Sequence, residues 1–205
     1  MGKLEANKQQ KLTSLLNTAF NLFTTQGVTK TSIAEISQKA GIAKGTFYLY
    51  FKDKYDIRNR LISHESSKLF KNAVADLEEF SMEKGEQLGF EEKIIFIINH
   101  IVDELNSNQT LLTFISKNLS WGIFKEALTT KVASDDINFK DVYYEMINAE
   151  DSSLEEPEIM LFLIVELVSS TCYSAILYKE PADIDTIKPY LFKTVRAIIK
   201  EHTIR

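Results

Sequence analysis

The chain has 205 residues, 44% of them hydrophobic and 26% charged. These values lie near the averages for soluble globular proteins and exclude the disordered and fibrous classes, while the length suits one large or two small domains with a real core. Seven glycines and the three prolines Pro157, Pro181 and Pro189 amount to about half of average usage, which predicts an almost wholly helical chain. The net charge of −5 conceals a division: residues 1–60 hold ten Lys or Arg against four Asp or Glu, and residues 61–205 hold fourteen against twenty-five. A basic head suited to polyphosphate therefore precedes an acidic body that polyphosphate repels.

From Lys8 to Gln26, Leu12, Leu16, Ala19, Phe20 and Phe23 recur on one face of a first helix, with Asn17, Thr18 and Asn21 opposite. Gly27 is placed to end it in a left-handed conformation. The lead-in of Lys3, Lys8 and Lys11 can lie along a phosphate backbone or simply be solvated. Ser32 and Glu35 then match a capping box, Ile33, Ile36 and Ala40 supply a short buried face, and Gly41 stops this second helix. A third begins near Ala43. Phe47 and Phe51, one turn apart, are predicted to point inward and to leave Lys44, Gly45, Tyr48 and Leu49 on the surface.

Two short helices about a glycine turn make a helix-turn-helix, whose second helix can enter the major groove of B-form DNA. Lys44 can reach a base edge or phosphate, Gly45 permits close backbone approach, and Thr46 can donate or accept. The Tyr48 and Tyr50 hydroxyls suit phosphate oxygens, and Leu49, if exposed, suits a thymine methyl. Thr31 and Ser32 complete the expected DNA contacts at the start of the second helix. Asp53 reads as the cap of a fourth helix; Lys54 in its first turn is unfavourable for the helix dipole and makes better sense facing an external phosphate.

The run Thr31-Ser32-Ile33-Ala34-Glu35-Ile36, Ala40-Gly41-Ile42, Lys44-Gly45-Thr46-Phe47-Tyr48-Leu49-Tyr50-Phe51 and Lys54 resembles the DNA-binding signature of the TetR family of bacterial repressors. The resemblance covers roughly the first 60 residues. Ala43 departs from it, since the family often has serine there, and a lost cap weakens the third helix by about 1 kcal/mol. The resemblance implies an all-α homodimer of about nine helices: a helix-turn-helix DNA-binding domain over residues 1–54, with the motif at about 32–51, and a helical effector-binding and dimerisation domain over 55–205.

The remaining chain is compatible with that expectation. A long helix is predicted from Tyr55 to Phe80, and after Gly85 and Gly89 comes an apolar one bearing Phe90, Ile94, Ile97, Ile98, Ile101 and Leu105. A short helix follows over Gln109–Lys117, then one interrupted helix or two shorter ones over Trp121–Val132 and Asn138–Ala149 with a break at Asp135-Asp136, and an acidic turn before Pro157, which suits a first helical position. Residues 159–178 carry Glu166 as their one charge. Their length allows a membrane span, but Glu166, the Ser169-Ser170-Thr171 cluster and acidic flanks favour burial between the protein's own core and a second subunit. A last amphipathic helix runs from Ile184 to Ile199. Leu163, Leu167, Leu191 and Val195 are the expected dimer contacts.

No catalytic constellation, phosphate loop or metal-ligand set is legible, so neither enzymatic activity nor a cofactor or metal is expected. His64, His100 and His202 each read as structural or solvated. Cys172 alone cannot form an internal disulfide, and the N-terminus carries no secretory pattern, so a cytoplasmic location is expected. Candidate effector contacts are Phe96, His100, Phe114, Trp121, Phe124, Tyr143, Tyr144, Glu166, Cys172 and Tyr173, which bring aromatic surface and a few polar groups to the central helices. Glu166 can pair across the dimer, face water or meet a cationic ligand. The expected function is a transcriptional repressor that binds a near-palindromic double-stranded DNA operator as a homodimer, is released by a small, largely apolar effector, and involves no membrane. The alternatives are a DNA-binding protein controlled by protein partners, and a helical enzyme or lipid carrier.

Overall fold

The computed structural model describes residues 2–85, 88–118, 139–149 and 153–204. The predicted helix at Trp121–Val132 and the break at Asp135-Asp136 lie outside the described residues, as do the candidate effector residues Trp121 and Phe124. The chain forms two compact units: the first holds described residues 2–66 and Asn118, and the second described residues 67–117, 139–149 and 153–204.

In the first unit, α1 (Lys3–Gln26) starts five residues before the predicted point. Its buried face is Leu15, Leu16, Ala19, Leu22 and Phe23, whereas the predicted Leu12 and Phe20 are only half-buried, so the stripe is rotated from the one the spacing predicted. Gly27 closes the helix with φ 84° and ψ 156°, and its N–H donates to the Phe23 carbonyl. Both α2 (Ile33–Lys39) and α3 (Lys44–Phe47) are shorter than an isolated helix can sustain. They persist because Ile36, Phe47 and Phe51 are fully buried, the two phenylalanine rings 5.5 Å apart. Asp53 Oδ1 accepts the Tyr55 and Asp56 N–H groups at 2.7 and 2.9 Å and so caps α4 (Lys54–Lys84) as expected. The first turns of α4 bury Ile57, Leu61 and Ile62 in this unit. The compact grouping therefore divides the chain inside α4, about a dozen residues beyond the position expected from sequence.

In the second unit, Phe70, Ala73 and Leu77 of α4 pack with Ile97 of α5 (Phe90–Ser107). Five of the six predicted α5 core residues are buried; Ile101 is only partly so, and Val102 takes the deep position beside it. α6 (Gln109–Asn118) follows at once, and α7 (Phe139–Asn148) lays Phe139 against Phe70, the ring centroids 4.0 Å apart. α8 (Pro157–Leu177) opens on its proline, as expected, and packs with α9 (Ile184–His202) and α5. Length and composition alone would let α8 cross a membrane. Here it buries Met160, Leu161, Ile164, Val168, Cys172, Ala175 and Ile176 in the unit's own core. One element went unpredicted: Ser153–Leu154 (β1) pairs antiparallel with Thr203–Ile204 (β2).

Burial pushes the Cys172 thiol from 9.0 up to about 12, the nearby Lys188 charge opposing the shift only in part. The folded state holds this proton more tightly than the unfolded chain. Its contribution to stability is therefore complete below pH 9.0 and fades as pH rises toward about 12. Thiol titration at pH 8 is expected to detect no reactive cysteine in the native protein and one per chain in denaturant.

Candidate nucleic-acid interface

The head is assembled by hydrogen bonds from side chains to a short connection. Between α1 and α2 the chain turns through Val28–Thr31, and three carbonyls converge there on the Lys54 ammonium: Val28 at 3.0 Å, Thr29 at 3.0 Å and Thr31 at 3.2 Å. An ammonium has three donors, and all three are engaged. Sequence reasoning gave Lys54 an external phosphate; the fold gives it the backbone of its own α1–α2 connection.

Gln26 ties the other side. Its amide donates to Thr31 Oγ1 at 3.2 Å and to Glu35 Oε2 at 2.8 Å, while Thr31 Oγ1 donates to the Gly27 carbonyl. Thr31 is 2% exposed, so its hydroxyl is committed internally. Ser32 Oγ caps α2 by accepting the Glu35 N–H at 3.1 Å. Of the expected capping box this hydroxyl half forms, while the Glu35 carboxylate turns to Gln26 and Lys39. The Gln26 bond foremost, with Lys39 next, holds the Glu35 carboxyl below its usual range. Two more pins hold the motif to α1: Ser14 Oγ donates to the Ala40 carbonyl at 3.1 Å, and the Tyr50 hydroxyl donates to the Lys8 carbonyl at 3.4 Å. Nothing in the sequence pattern marked Gln26 or Ser14, because their partners lie on other elements.

The opposite side of α3 is turned to solvent. Lys44, Gly45, Tyr48 and Leu49 are exposed and Thr46 is half-buried, with Leu49 at 80% and Tyr48 at 52%. Ala43 caps α3 without a side-chain bond. Lys52 is exposed beside the motif, and Arg58 stacks over the Tyr55 ring at 5.3 Å. Cations, hydroxyls and one apolar side chain are thus exposed on and beside α3, a combination suited to a phosphate-lined groove with base edges at its floor.

Of the candidate effector residues that the structure describes, Phe96 packs against the same core cluster as Phe139, whose ring stacks on Tyr143. Phe96 packs on Phe80 at 5.3 Å, and one turn later the His100 ring lies between Asp76 at 3.0 Å and Glu104 at 3.4 Å. The Glu104 partner, at i+4, was readable in the sequence; Asp76, on α4, was not. Phe114 is buried on α6. Tyr143 is buried against Phe90, Phe139 and Tyr144, donates its hydroxyl proton to the Pro157 carbonyl at 2.8 Å, and has its phenol pushed up by burial. Tyr173 meets Tyr178 through their hydroxyls at 3.0 Å, and Cys172 is enclosed. Glu166 is solvent-exposed, so its carboxylate carries no burial cost within the subunit.

Of the expected dimer contacts, Leu163 is exposed and Leu167 half-buried, whereas Leu191 and Val195 belong to the subunit's own core. The outward apolar groups on these two helices are instead Ile159, Leu163 and Tyr190.

A sequence model for bacterial regulatory proteins of the tetR family matches residues 15–61. The chain is 40% identical over 55 residues to the HTH-type transcriptional regulator AcrR of Shigella flexneri, which is 27% of this chain and 26% of that protein. It is 29% identical over 72 residues to the fatty acid metabolism regulator protein of Bacillus subtilis, 35% of this chain and 37% of that one. These matches therefore span only about a quarter to a third of the curated relatives' length. At the level of fold the likeness is broader. A tetR-family transcription regulator from Shewanella sp. PV-4 superposes with TM-score 0.62 at 15% identity, over 95% of this chain and 99% of the other. FadR of Bacillus subtilis in complex with stearoyl-CoA superposes with TM-score 0.61 at 15% identity, over 89% and 96%.

Replacing Lys54 with Met keeps the apolar stem and removes the three bonds to the α1–α2 connection. Chemical denaturation is expected to show a loss of about 2 kcal/mol, and an unchanged midpoint would mean that water replaces the ammonium at no cost.

Proposed function

We propose that the chain is a member of the tetR family of bacterial regulatory proteins, whose sequence model matches residues 15–61, and that it is a cytoplasmic transcriptional repressor, not an enzyme, that binds a near-palindromic DNA operator as a homodimer. The observation that carries this reading is the solvated face of α3, where Lys44, Gly45, Tyr48 and Leu49 are exposed in front of the fully buried Phe47 and Phe51. A helix presented in that way can lie in the major groove with its cation and hydroxyls on phosphates. Lys44, Thr46 and Tyr48 are the direct contacts in this proposal, with Gly45 and Leu49 nearest the bases and Ser32 near the phosphates. Thr31, Tyr50 and Lys54 contribute by holding the motif in shape.

Two-fold protein symmetry requires two-fold operator symmetry. Support for a dimer comes from α8 and α9, which leave Ile159 and Leu163 at 51% and 42% exposure and Tyr190 at 69%. A second subunit is the natural cover for such a surface.

The effector in this proposal is a small, largely apolar molecule held by the second unit, with Phe96, His100, Phe114, Tyr143 and Tyr144 the nearest described candidates. A fatty acid metabolism regulator among the relatives and a structural neighbour holding stearoyl-CoA favour a long acyl chain as its apolar part. Effector binding would favour a conformation with the wrong reading-head spacing, and DNA would weaken the effector by the same factor. The alternative is control by a protein partner without any small molecule.

Selection of bound fragments from random DNA is expected to return a near-palindrome, and an asymmetric consensus would count against the homodimer. On the selected fragment, Lys44→Ala is expected to reduce the salt-dependence slope by about 0.9 per subunit, whereas Lys54→Met lowers affinity and keeps the slope. Stearoyl-CoA is expected to raise the melting temperature and release the fragment; no response to a range of acyl chain lengths would favour the protein-partner reading.

A further inference from the structure

Gly45 is the only glycine between Gly41 and Gly85, and nothing among the described residues asks for one there. It sits within α3 without the positive φ of Gly27, Gly41 and Gly85. A Cβ built on it meets no atom within 4 Å. Alanine would thus fit without strain and would favour the helix. Gly45 is also exposed, and so is Leu49 in the turn that follows α3. Phe47 and Phe51 are buried while Leu49 is 80% exposed. An absent side chain at one position and an exposed apolar one at the other thus take no part in the described packing.

Resting on the proposed operator binding, we propose that Leu49, in the turn that ends α3, meets the base pairs beside Gly45 and selects thymine through its C5-methyl group. A bare Cα at Gly45 lets the start of α3 settle deeper into the groove than its neighbours Lys44 and Tyr48, which are long enough to reach the phosphates beside it. That depth brings the Leu49 side chain to the base edges. Among the groups on those edges in the major groove, the thymine methyl is the one apolar feature; the others are hydrogen-bond donors and acceptors that a leucine cannot satisfy. Leu49 over any other base would leave those groups dehydrated and unpaired, which supplies discrimination as well as attraction.

The test uses the full chain and the fragment it selects from random DNA, with each thymine replaced in turn by deoxyuridine, which removes the methyl and keeps the pairing. One thymine in each half-site is expected to be sensitive, with affinity falling about fourfold per methyl lost, and Leu49→Ala is expected to abolish that sensitivity. Gly45→Ala separates fold from contact: its melting temperature is expected to hold or rise, while affinity falls by about tenfold or more as the added methyl meets the DNA. Retained DNA binding with no uracil-sensitive position, with undiminished sensitivity in Leu49→Ala, or with full affinity in Gly45→Ala overturns this assignment alone. A chain that retains no DNA at low salt overturns the operator-binding reading together with it.

Discussion

The Lys54 ammonium fills a position where the carbonyls of Val28, Thr29 and Thr31 point at one another. Three oxygen dipoles facing a common centre repel unless a cation or water sits between them, and here the cation is covalently fixed to the first turn of α4. The connection between α1 and α2 is thereby referenced to a third helix. From that fixed turn the rest of the head follows: Ser32 is placed to cap α2, Gln26 can reach both Thr31 and Glu35, and α2 delivers Gly41 and α3. A four-residue helix has almost no stability of its own. The position of α3 is set by the buried phenylalanines behind it and by the helices on either side.

This arrangement also explains how a face rich in cations coexists with a well-ordered core. The donors that could compete for DNA phosphate are sorted by depth. Those committed to the fold, on Gln26, Thr31 and Lys54, are at least half-buried, whereas Lys44 and Lys52 stand in solvent. Buried hydrogen bonds to charged groups are worth more than exposed ones and respond less to salt. The fold is therefore insulated from the ionic conditions that would modulate binding.

Periodicity made the helices legible, since the 3.6-residue recurrence in α1 and α5 reflects a single buried stripe on each. It placed Phe47 and Phe51 inside and, by elimination, the α3 surface outside. It failed where the partner of a side chain is remote. The oxygens around Lys54 lie more than twenty residues upstream, and no local pattern distinguishes an amine awaiting phosphate from one bound to its own backbone. In α8 and α9 an apolar stripe was recognised, but an apolar face covered by its own subunit has the same spelling as one covered by another. Hence Leu191 and Val195, with the periodicity of an interface, proved to be core, while Ile159, Leu163 and Tyr190 are the groups left outside.

The small ladder between Ser153–Leu154 and Thr203–Ile204 closes α8 and α9 into a ring. Their turn joins them at one end; at the other the ladder, reinforced by the Glu155 N–H on the His202 carbonyl at 2.7 Å, does the same. Two helices joined only by a turn can slide past one another by changing which ridge lies in which groove. A slide of one helical turn would carry Thr203 about 5.4 Å from its partner, beyond hydrogen-bond reach. Sliding is thus coupled to breaking the ladder, and the gentler motion left to the pair is for both to shift together as a single plate.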